Sequence, residues 1–478
     1  MKIEQLIITP EGKTLEFKQD LSSPKPIIKT LLAFANTAGG RLIIGINDKR
    51  QVVGVGDPLD EEERLCNIIA DSIEPRLVPN VEMTTIDNKT VLVVEVFPSG
   101  LRPHHLKAEG PDNGVFVRLG STNRQADREL IGELRRSVEG TSFDELPMTE
   151  LSVNDLDQHA VEALFSGKRN LTEKELITLK LLRREQGRLV PSKGAILLFG
   201  AERIFHFPDA WVQCGRFIGN DKAEIFDHIE LHNHLPDTVD SIMLFLKKHA
   251  MRSADLSEIR RKDVWSIPLT ILREVVINAL VHADYSQRGG PIRIAFFDDR
   301  IEVENPGILL PGMTIQDMKD GVSKIRNPVI ARVFRELGLI EQWGSGIKRI
   351  FKEADELGLP ELQIVELGMR LRVIVSLLSP IALNHDKLKK NPGVELGVES
   401  GVESNIAKQI INMLEGRTLA KSEIADGLGK GKPTRYLADL MRKLLKENLV
   451  EYTVPQKPNS RLQKYRLTPK GRRKTQQG

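Results

Sequence analysis

The sequence predicts an α+β multidomain protein, and three observations carry that prediction. Residues 1–140 alternate strand and helix signals, residues 141–380 continue as a second α/β stretch, and residues 405–478 read as three helices followed by a hairpin. The 478 residues suffice for several cores. A content of 40% hydrophobic and 28% charged residues is that of an ordinary globular chain.

Thr14-Leu15-Glu16-Phe17-Lys18 alternates with period two, as a half-buried strand does. Pro24 and Pro26 suit the first turn of a helix that runs through Leu31 to Ala35. Gly39-Gly40 stops that helix, and Arg41 to Ile46 reads as a buried strand. Val91 to Val96 and Val115 to Leu119 supply two more strands. In the connecting region, 141–260, Leu179 to Glu185 reads as a helix and Gly194 to Phe199 as a strand. Gly393 to Ser404 is a four-residue repeat written three times, which marks 381–404 as a linker. Beyond it, Ile406 to Leu414, Ser422 to Leu428 and Pro433 to Asn448 are helical in pattern. Val450 to Val454 and Lys464 to Thr468 flank a polar turn. That order is a winged helix-turn-helix.

Composition excludes several classes. Two cysteines, Cys66 and Cys214, cannot build a disulfide framework or a thiolate zinc site. No apolar run approaches the ~18–20 residues of a membrane span. The opening Met1 to Lys13 lacks the pattern of a signal peptide. The expectation is a cytoplasmic chain with no membrane partner. Net charge is +3 but unevenly spread. From Asn405 onward there are 17 Lys and Arg against 6 Asp and Glu, a surplus of 11 that leaves −8 for the rest. Such asymmetry points to a nucleic-acid-binding end, the competing reading being a solvated basic tail.

The segment Leu272 to Tyr285 holds Glu274, Asn278 and His282 at i, i+4 and i+8, one face of a helix. An amide oxygen on that face can ligate Mg²⁺, and a carboxylate one turn away can orient and deprotonate a water. Taken alone, the same pattern also fits the polar face of an amphipathic helix. Downstream, the strand Ile301-Glu-Val-Glu-Asn-Pro-Gly307 ends in a glycine turn. Gly344 and Gly346 then open a basic helix, whose free N–H groups can hold phosphate.

These three elements, in this order, resemble the GHKL ATPases, the ATP domains of gyrases, chaperones and histidine kinases. Lys324 to Ala331 is similar to the divergent branch found beside Schlafen/AlbA-type domains, often labelled ATP-dependent DNA helicase-like. The resemblance implies a Bergerat-type α/β sandwich over 261–380 that binds ATP with Mg²⁺. It implies Glu274 as the water-activating base of an ATPase, Asn278 as the Mg²⁺ ligand, and His282 and Asp284 closing the same box. The adenine-contacting acid falls on Asn305 with Gly307 as its glycine, and the later glycines fall on Gly344 and Gly346. The chain departs from the pattern at Asn305, which changes the partner offered to the adenine amino group. It departs again at Leu309, where a second glycine is missing; this bears on lid closure and leaves hydrolysis open. The helicase label finds no support, because no Gly-x4-Gly-Lys-Ser/Thr loop is present.

In the N-terminal region Glu16 and Lys18 share one strand face, Glu11 lies upstream and Asp48 ends a buried strand. Such acids could hold a divalent metal and activate a water on a phosphodiester, or could be ordinary charges on a sheet edge. Glu11 to Lys18, Ala33 to Gly40, Ile44 to Asp48 and Val117 to Arg124 resemble the Schlafen/AlbA-type DNA-binding domain. The resemblance implies nucleic-acid binding, and in its nuclease members the metal-binding acids would fall on Glu11, Glu16 and Asp48. Arg118 and Arg124, beside a Gly-Ser-Thr turn, are the phosphate contacts expected here. In the tail those contacts are Arg435, Arg442 and Lys446 on the third helix and Arg461 on the hairpin. The reading is an ATP-binding, nucleic-acid-binding transcriptional regulator, acting on DNA rather than RNA as a homodimer. Its alternatives are a metal-dependent nuclease controlled by the ATP domain, and a non-hydrolysing adaptor with a degenerate pocket.

Overall fold

A computed structural model describes residues 3–165, 171–250, 252–255, 262–340, 346–381, 410–415, 417–427, 437, 440–441, 444–445, 448–453, 464–470 and 472. The chain divides into two units, Met1–Leu383 and Asn384–Gly478.

The first unit opens on a four-stranded sheet. Strand β1 (Leu15–Lys18) leads into helix α1 (Pro24–Asn36) and returns as β2 (Gly40–Ile44), parallel to β1. A parallel pair needs such a crossover, and α1 is long enough to provide it. After α2 (Pro58–Ser72) come β3 (Asn80–Ile86) and β4 (Lys89–Val96), giving the order β1-β2-β4-β3. Leu42, Ile44, Leu92 and Val94 bury one sheet face against Leu31, Leu32 and Phe34 of α1. Phe17, Ile43, Val91 and Val93 form a smaller cluster on the other face. The period of two read from the sequence is this two-sided packing. Strand β3 was not legible, because most of its side chains are exposed or half-buried. The two-residue turn Asp87-Asn88, with φ of 49° and 62°, sets its register. The hairpin of β5 (Phe116–Leu119) and β6 (Thr122–Gln125) precedes α3 (Arg128–Glu139), capped by Asp127 and ended by left-handed Gly140.

Two sequence expectations in the connecting region invert. Leu182–Glu185 is a strand, paired antiparallel with Arg188–Pro191 across the tight turn Gln186-Gly187. Lys193–Phe199 is a helix, α4. Every residue from Gly194 to Phe199 is buried, so the apolar run has no periodicity with which to declare itself. The local signal was Ser192, whose hydroxyl accepts from the Ala195 N–H at 3.1 Å and caps the helix.

A six-stranded sheet forms the rest of the first unit. It contains β7 (Val212–Phe217), β8 (Ile225–Leu231), β9 (Ile292–Phe296), β10 (Arg300–Pro306), β11 (Gln363–Leu367) and β12 (Arg370–Ser376). The order is β8-β7-β9-β10-β12-β11, with β7 and β9 parallel and the other neighbours antiparallel. The sheet thus draws strands from both sides of residue 260. Between β8 and β9 lie α5 (Leu235–His249) and α6 (Leu269–His282). Helices α7 (Pro328–Glu336) and α8 (Gly346–Glu356) follow β10. Helix α6 packs against α5, α8 and β10 and buries Ile271, Leu272, Val275, Val276, Ala279 and Leu280. Glu274, Asn278 and His282 form a half-buried stripe on it; Leu269, Thr270 and Arg273 are the other residues of α6 that are not buried.

In the second unit, α9 (Lys421–Gly427) and the antiparallel pair β13 (Val450–Tyr452) and β14 (Tyr465–Leu467) share a core with Leu437, Leu440, Met441 and Leu444. Those four leucine and methionine side chains are buried. The linker repeat lies outside the described residues. Among the described residues no helix is long and apolar enough to cross a membrane.

Candidate functional site

Helix α6 aims its polar stripe into a cavity of about 350 Å³. Glu274, Asn278 and His282 line it from α6, Asn305 from β10, and Gly346 and Arg349 from α8. Ile308, Leu309, Met313, Leu371 and Val373 supply apolar walls, and Lys324 and Arg335 add cationic ones. The volume falls within the range of small-molecule pockets, which pair apolar walls with a few polar groups. Of the residues expected at a nucleotide site, five therefore line one cavity. Gly344 lies outside the described residues.

The carboxylate and amide of α6 are joined. The Asn278 Nδ2 donates to the Glu274 backbone oxygen at 2.9 Å and to Glu274 Oε1 at 3.1 Å. Glu274 Oε2 pairs with Arg349 at 3.4 Å. Helix α8 starts hard against this carboxylate: a Cβ on Gly346 would meet Glu274 Oε1 at 1.8 Å. Only glycine lets the two elements approach so closely.

Gly307 and Asp284 stand behind the cavity wall. Gly307 has φ of +99°, and a Cβ there would meet the Arg326 guanidinium at 2.5 Å and the Asp284 Cβ at 2.9 Å. The Asp284 N–H donates to Pro306 at 2.9 Å, tying the end of α6 to the end of β10. Asp284 Oδ1 accepts from the Ser286 N–H at 3.0 Å. Asp284 itself lines a neighbouring cavity with Glu133, Arg136 and Arg326 rather than the α6 pocket.

Arg326 and Asn327, which sequence reasoning noted only within a longer segment, hold this wall together. Arg326 donates to Glu133 of α3 at 2.6 Å, to the His282 carbonyl at 2.7 Å and to the Ile308 carbonyl at 2.5 Å. The Asn327 amide donates to the Val281 and Ala283 carbonyls at 2.8 and 2.7 Å, satisfying the C-terminus of α6. The available signal was an Asn-Pro step opening an apolar helix. Burial, with Arg326 nearby, holds the His282 imidazole down to about 4, so it is neutral at pH 7. Burial pushes the Glu133 carboxyl up against the pull of Arg326.

The N-terminal region is bonded to the same wall at further points. The Lys13 ammonium donates to Glu366 at 2.6 Å, and Glu366 Oε1 accepts from the Leu309 N–H at 2.8 Å. From the connecting region, Asp144 Oδ2 accepts from Val329 N–H at 2.7 Å and Ile330 N–H at 3.1 Å, capping α7.

The N-terminal acids are engaged differently from one another. Glu16 is buried, accepts from Lys18 at 2.5 Å and pairs with Arg118. Glu11 is spent on the Phe17 N–H at 2.9 Å, and Asp48 is exposed beyond β2. Among the described residues no group of three His, Cys, Asp or Glu side chains is placed to hold a metal ion. Arg118, expected on a phosphate, is 1% exposed and bonds Gly12 O at 3.0 Å and Asn123 Oδ1 at 2.9 Å. Its guanidinium also faces the Phe34 ring at 5.4 Å. A guanidinium surrounded in this way organises the sheet instead of facing a ligand. Arg124 is exposed. The tail cations Arg435, Arg442, Lys446 and Arg461 lie outside the described residues.

Comparison with known proteins bears on each region. Residues 11–127 match the family described as "Schlafen, AlbA_2". Residues 289–375 match the one described as "Putative ATP-dependent DNA helicase recG C-terminal". The chain thus joins a Schlafen/AlbA_2 domain to a RecG-type C-terminal ATPase-like domain, as the motifs implied. The second match includes Asn305, Gly307 and Gly346 but begins after α6, so Glu274 and Asn278 rest on geometry alone. Residues 406–468 match "Filamentation induced by cAMP protein Fic-like, C-terminal domain". No curated protein matches the chain. Among solved structures, a Corynebacterium diphtheriae protein is 18% identical, with 99% of this chain and 97% of that chain covered and a TM-score of 0.43. The N-terminal domain of a RecG-related protein of Nitrosomonas europaea, titled "Putative ATP-dependent DNA Helicase", is 29% identical. That match covers 26% of this chain and 90% of that chain, with a TM-score of 0.21. A Fic family protein from Desulfovibrio desulfuricans is 11% identical, with 72% and 77% covered and a TM-score of 0.14. TM-scores this low carry no argument about the fold.

Proposed function

We propose that this chain is an ATP-responsive, nucleic-acid-binding regulator whose nucleotide pocket is the α6 cavity. We assign residues 1–140 to nucleic-acid binding, 141–260 to the connecting region and 261–380 to the pocket. Residues 381–404 are the linker and 405–478 a winged helix. The observation that carries the reading is the joint lining of one cavity by Glu274, Asn278, Asn305 and Gly346, residues far apart in sequence.

The lining suits ATP and Mg²⁺. Apolar side chains from β12 and the Ile308–Met313 loop can sandwich a base, and Asn305 offers an amide to its edge. Lys324, Arg335 and Arg349 offer charge to phosphates. The Asn278 nitrogen is turned to Glu274, which leaves the amide oxygen for the metal. Bound Mg²⁺ would neutralise phosphate charge there. Glu274 then serves as general base: it takes a proton from water as the water oxygen bonds to the terminal phosphorus and ADP leaves.

The test is calorimetry with ATP and Mg²⁺, followed by phosphate release with and without DNA. Asn278→Ala should weaken Mg²⁺-dependent binding, and Glu274→Ala should spare binding while removing hydrolysis. A wild-type chain that binds no nucleotide at millimolar ATP would sink the reading. A non-hydrolysing adaptor is the second reading, and the pairing of Glu274 with Arg349 favours it. The nuclease reading fares less well, because Glu16 is already committed to Lys18 and Arg118.

A further inference from the structure

We infer that a second cleft, beside the α6 cavity, binds a phosphate group through Arg102, Arg136 and Lys324. The inference does not depend on the α6 cavity being a nucleotide pocket. The cleft has a volume of about 460 Å³. Arg102 reaches it from the β4–β5 connection, Arg136 from α3 and Lys324 from the β10–α7 connection. Thr141 and Ser142, just past the end of α3, add hydroxyls. Leu310, Lys324, Ile325 and Arg326 line both cavities and so form a partition between them. Arg102 and Arg136 line the cleft and not the α6 cavity.

The charges of the cleft do not balance. Its carboxylates, Glu133, Glu145 and Asp284, face cations other than these three. Both oxygens of Glu133 accept from Arg326, at 2.6 and 3.4 Å, and Asp284 attracts the same guanidinium. Glu145 accepts from Lys180 and pairs with Arg332. Among the described residues the three remaining cations have neutral partners. Arg102 donates to Ser137 Oγ at 3.0 Å and to the Ser99 carbonyl at 2.6 Å. Lys324 donates to the Pro311 carbonyl at 2.9 Å. Arg136 lies over the Phe143 ring, 5.5 Å from its centroid, and Glu133 attracts it only through space.

A guanidinium drawn partly out of water with no counter-charge is unfavourable, and an anion in the cleft offsets that cost. Burial already holds the Arg102 guanidinium below its ordinary range. The chemistry of the cations selects the anion. A guanidinium fork matches two oxygens of a phosphate, and an ammonium adds a point charge. Three cations from three separate elements suit a tetrahedral group with acceptor oxygens on several sides better than a flat carboxylate with two. Such a phosphate can belong to a small phosphorylated molecule or to a nucleic-acid backbone.

The probe is inorganic pyrophosphate, titrated by calorimetry into the full chain with a chelator present and at fixed ionic strength. The wild-type chain should bind it saturably. Arg102→Gln and Arg136→Gln should each weaken it about tenfold or more, the worth of a charge-assisted contact. Arg136→Lys keeps the charge but loses the fork, so it should fall between wild type and Arg136→Gln, and it carries the test where a Gln variant fails to fold. Arg335→Ala, which alters the α6 cavity and not the cleft, should leave pyrophosphate affinity unchanged. A second arm uses a short single-stranded oligonucleotide. Displacement of it by pyrophosphate, with weaker oligonucleotide binding in Arg136→Gln, would identify a nucleic-acid backbone as the source. Oligonucleotide binding indifferent to both would identify a small phosphorylated molecule. No saturable pyrophosphate binding at millimolar concentration would overturn the inference. So would full affinity in both Gln variants, or a loss in Arg335→Ala as large as theirs, which would place the probe in the α6 cavity. A chain that binds pyrophosphate in the cleft but no ATP would remove the nucleotide pocket and leave this site standing.

Discussion

A Cβ on Gly346 would stand 1.8 Å from Oε1 of Glu274, so the start of α8 and the proposed base compete for the same space. The colliding atom is the far end of a side chain, not backbone. Gly346→Ala should therefore swing the carboxylate aside instead of unfolding the helix. The expected stability change is within about 1 kcal/mol, as for substitutions that need no core repacking. Hydrolysis, where the wild-type chain shows it, should fall about 10²–10⁴-fold, the usual contribution of a positioned general base. Phosphate release and thermal unfolding read the two effects separately. Undiminished turnover in Gly346→Ala would remove Glu274 from the base role.

Arg326 joins Glu133 of α3 to the ends of α6 and β10, and both side chains are over nine-tenths buried. Removing one partner leaves an uncompensated buried charge, so Arg326→Ala or Glu133→Ala should each cost about 3–5 kcal/mol in urea unfolding. The pair Arg326→Met with Glu133→Leu should recover most of that loss, because neither charge then remains buried. Additive losses in the double variant would mean that the two side chains act independently. Nucleotide affinity should fall in Arg326→Ala as well, since the guanidinium fixes the His282 and Ile308 carbonyls that frame the cavity.

The stripe Glu274, Asn278 and His282 was legible because helical spacing alone puts three residues on one face. Asn305 and Gly346 were legible only through their order along the chain, and the cavity gathers them from β10 and α8. The ion pairs were not legible. Nothing in the local pattern says that Glu133 meets Arg326, 193 residues away, or that Lys13 meets Glu366, 353 residues away. Arg118 misled for the same reason. Its Gly-Ser-Thr surroundings suggest a phosphate contact, but tertiary packing buries it against Glu16 and Phe34. The misread helix at Lys193–Phe199 is a case where total burial erases periodicity, and only the Ser192 cap retained a signal.

Asp144 gives a dependence on pH. Burial raises its carboxyl from 3.8 to about 6, against the opposing bonds from Ser142, Ile330 and Val329. The folded state thus holds the proton more tightly than the unfolded chain does. That contribution is full below about pH 4 and is lost as pH rises through about 6, amounting to roughly 3 kcal/mol. Asp144→Asn keeps an oxygen for the Val329 N–H and removes the ionisation. Urea unfolding from pH 4 to 7 should show the variant losing less stability than wild type across that window. Parallel curves would mean that Asp144 titrates normally.

The surplus of 11 positive charges after Asn405 makes the C-terminal unit the stronger electrostatic footprint, while the rest of the chain is net negative. In a winged helix the third helix enters the major groove and the hairpin lies along the backbone. On the winged-helix reading proposed above, Arg435, Arg442 and Lys446 would fall on that helix and Arg461 on the hairpin. Each phosphate they neutralise releases counterions, so log affinity should fall with log salt by about 0.9 per contact. The apolar stripe of Leu437, Leu440, Met441 and Leu444 is buried in a core of the unit's own. Met1–Leu383 likewise forms a unit with separate cores. Truncation after Asn405 should therefore leave nucleotide binding intact. It should remove most of the DNA affinity and flatten its salt dependence, read by fluorescence anisotropy over a salt series. Unchanged affinity and slope would assign the tail to another partner and leave residues 1–140 as the nucleic-acid contact. Loss of affinity with the slope unchanged would mean that the tail acts on DNA through something other than its charge.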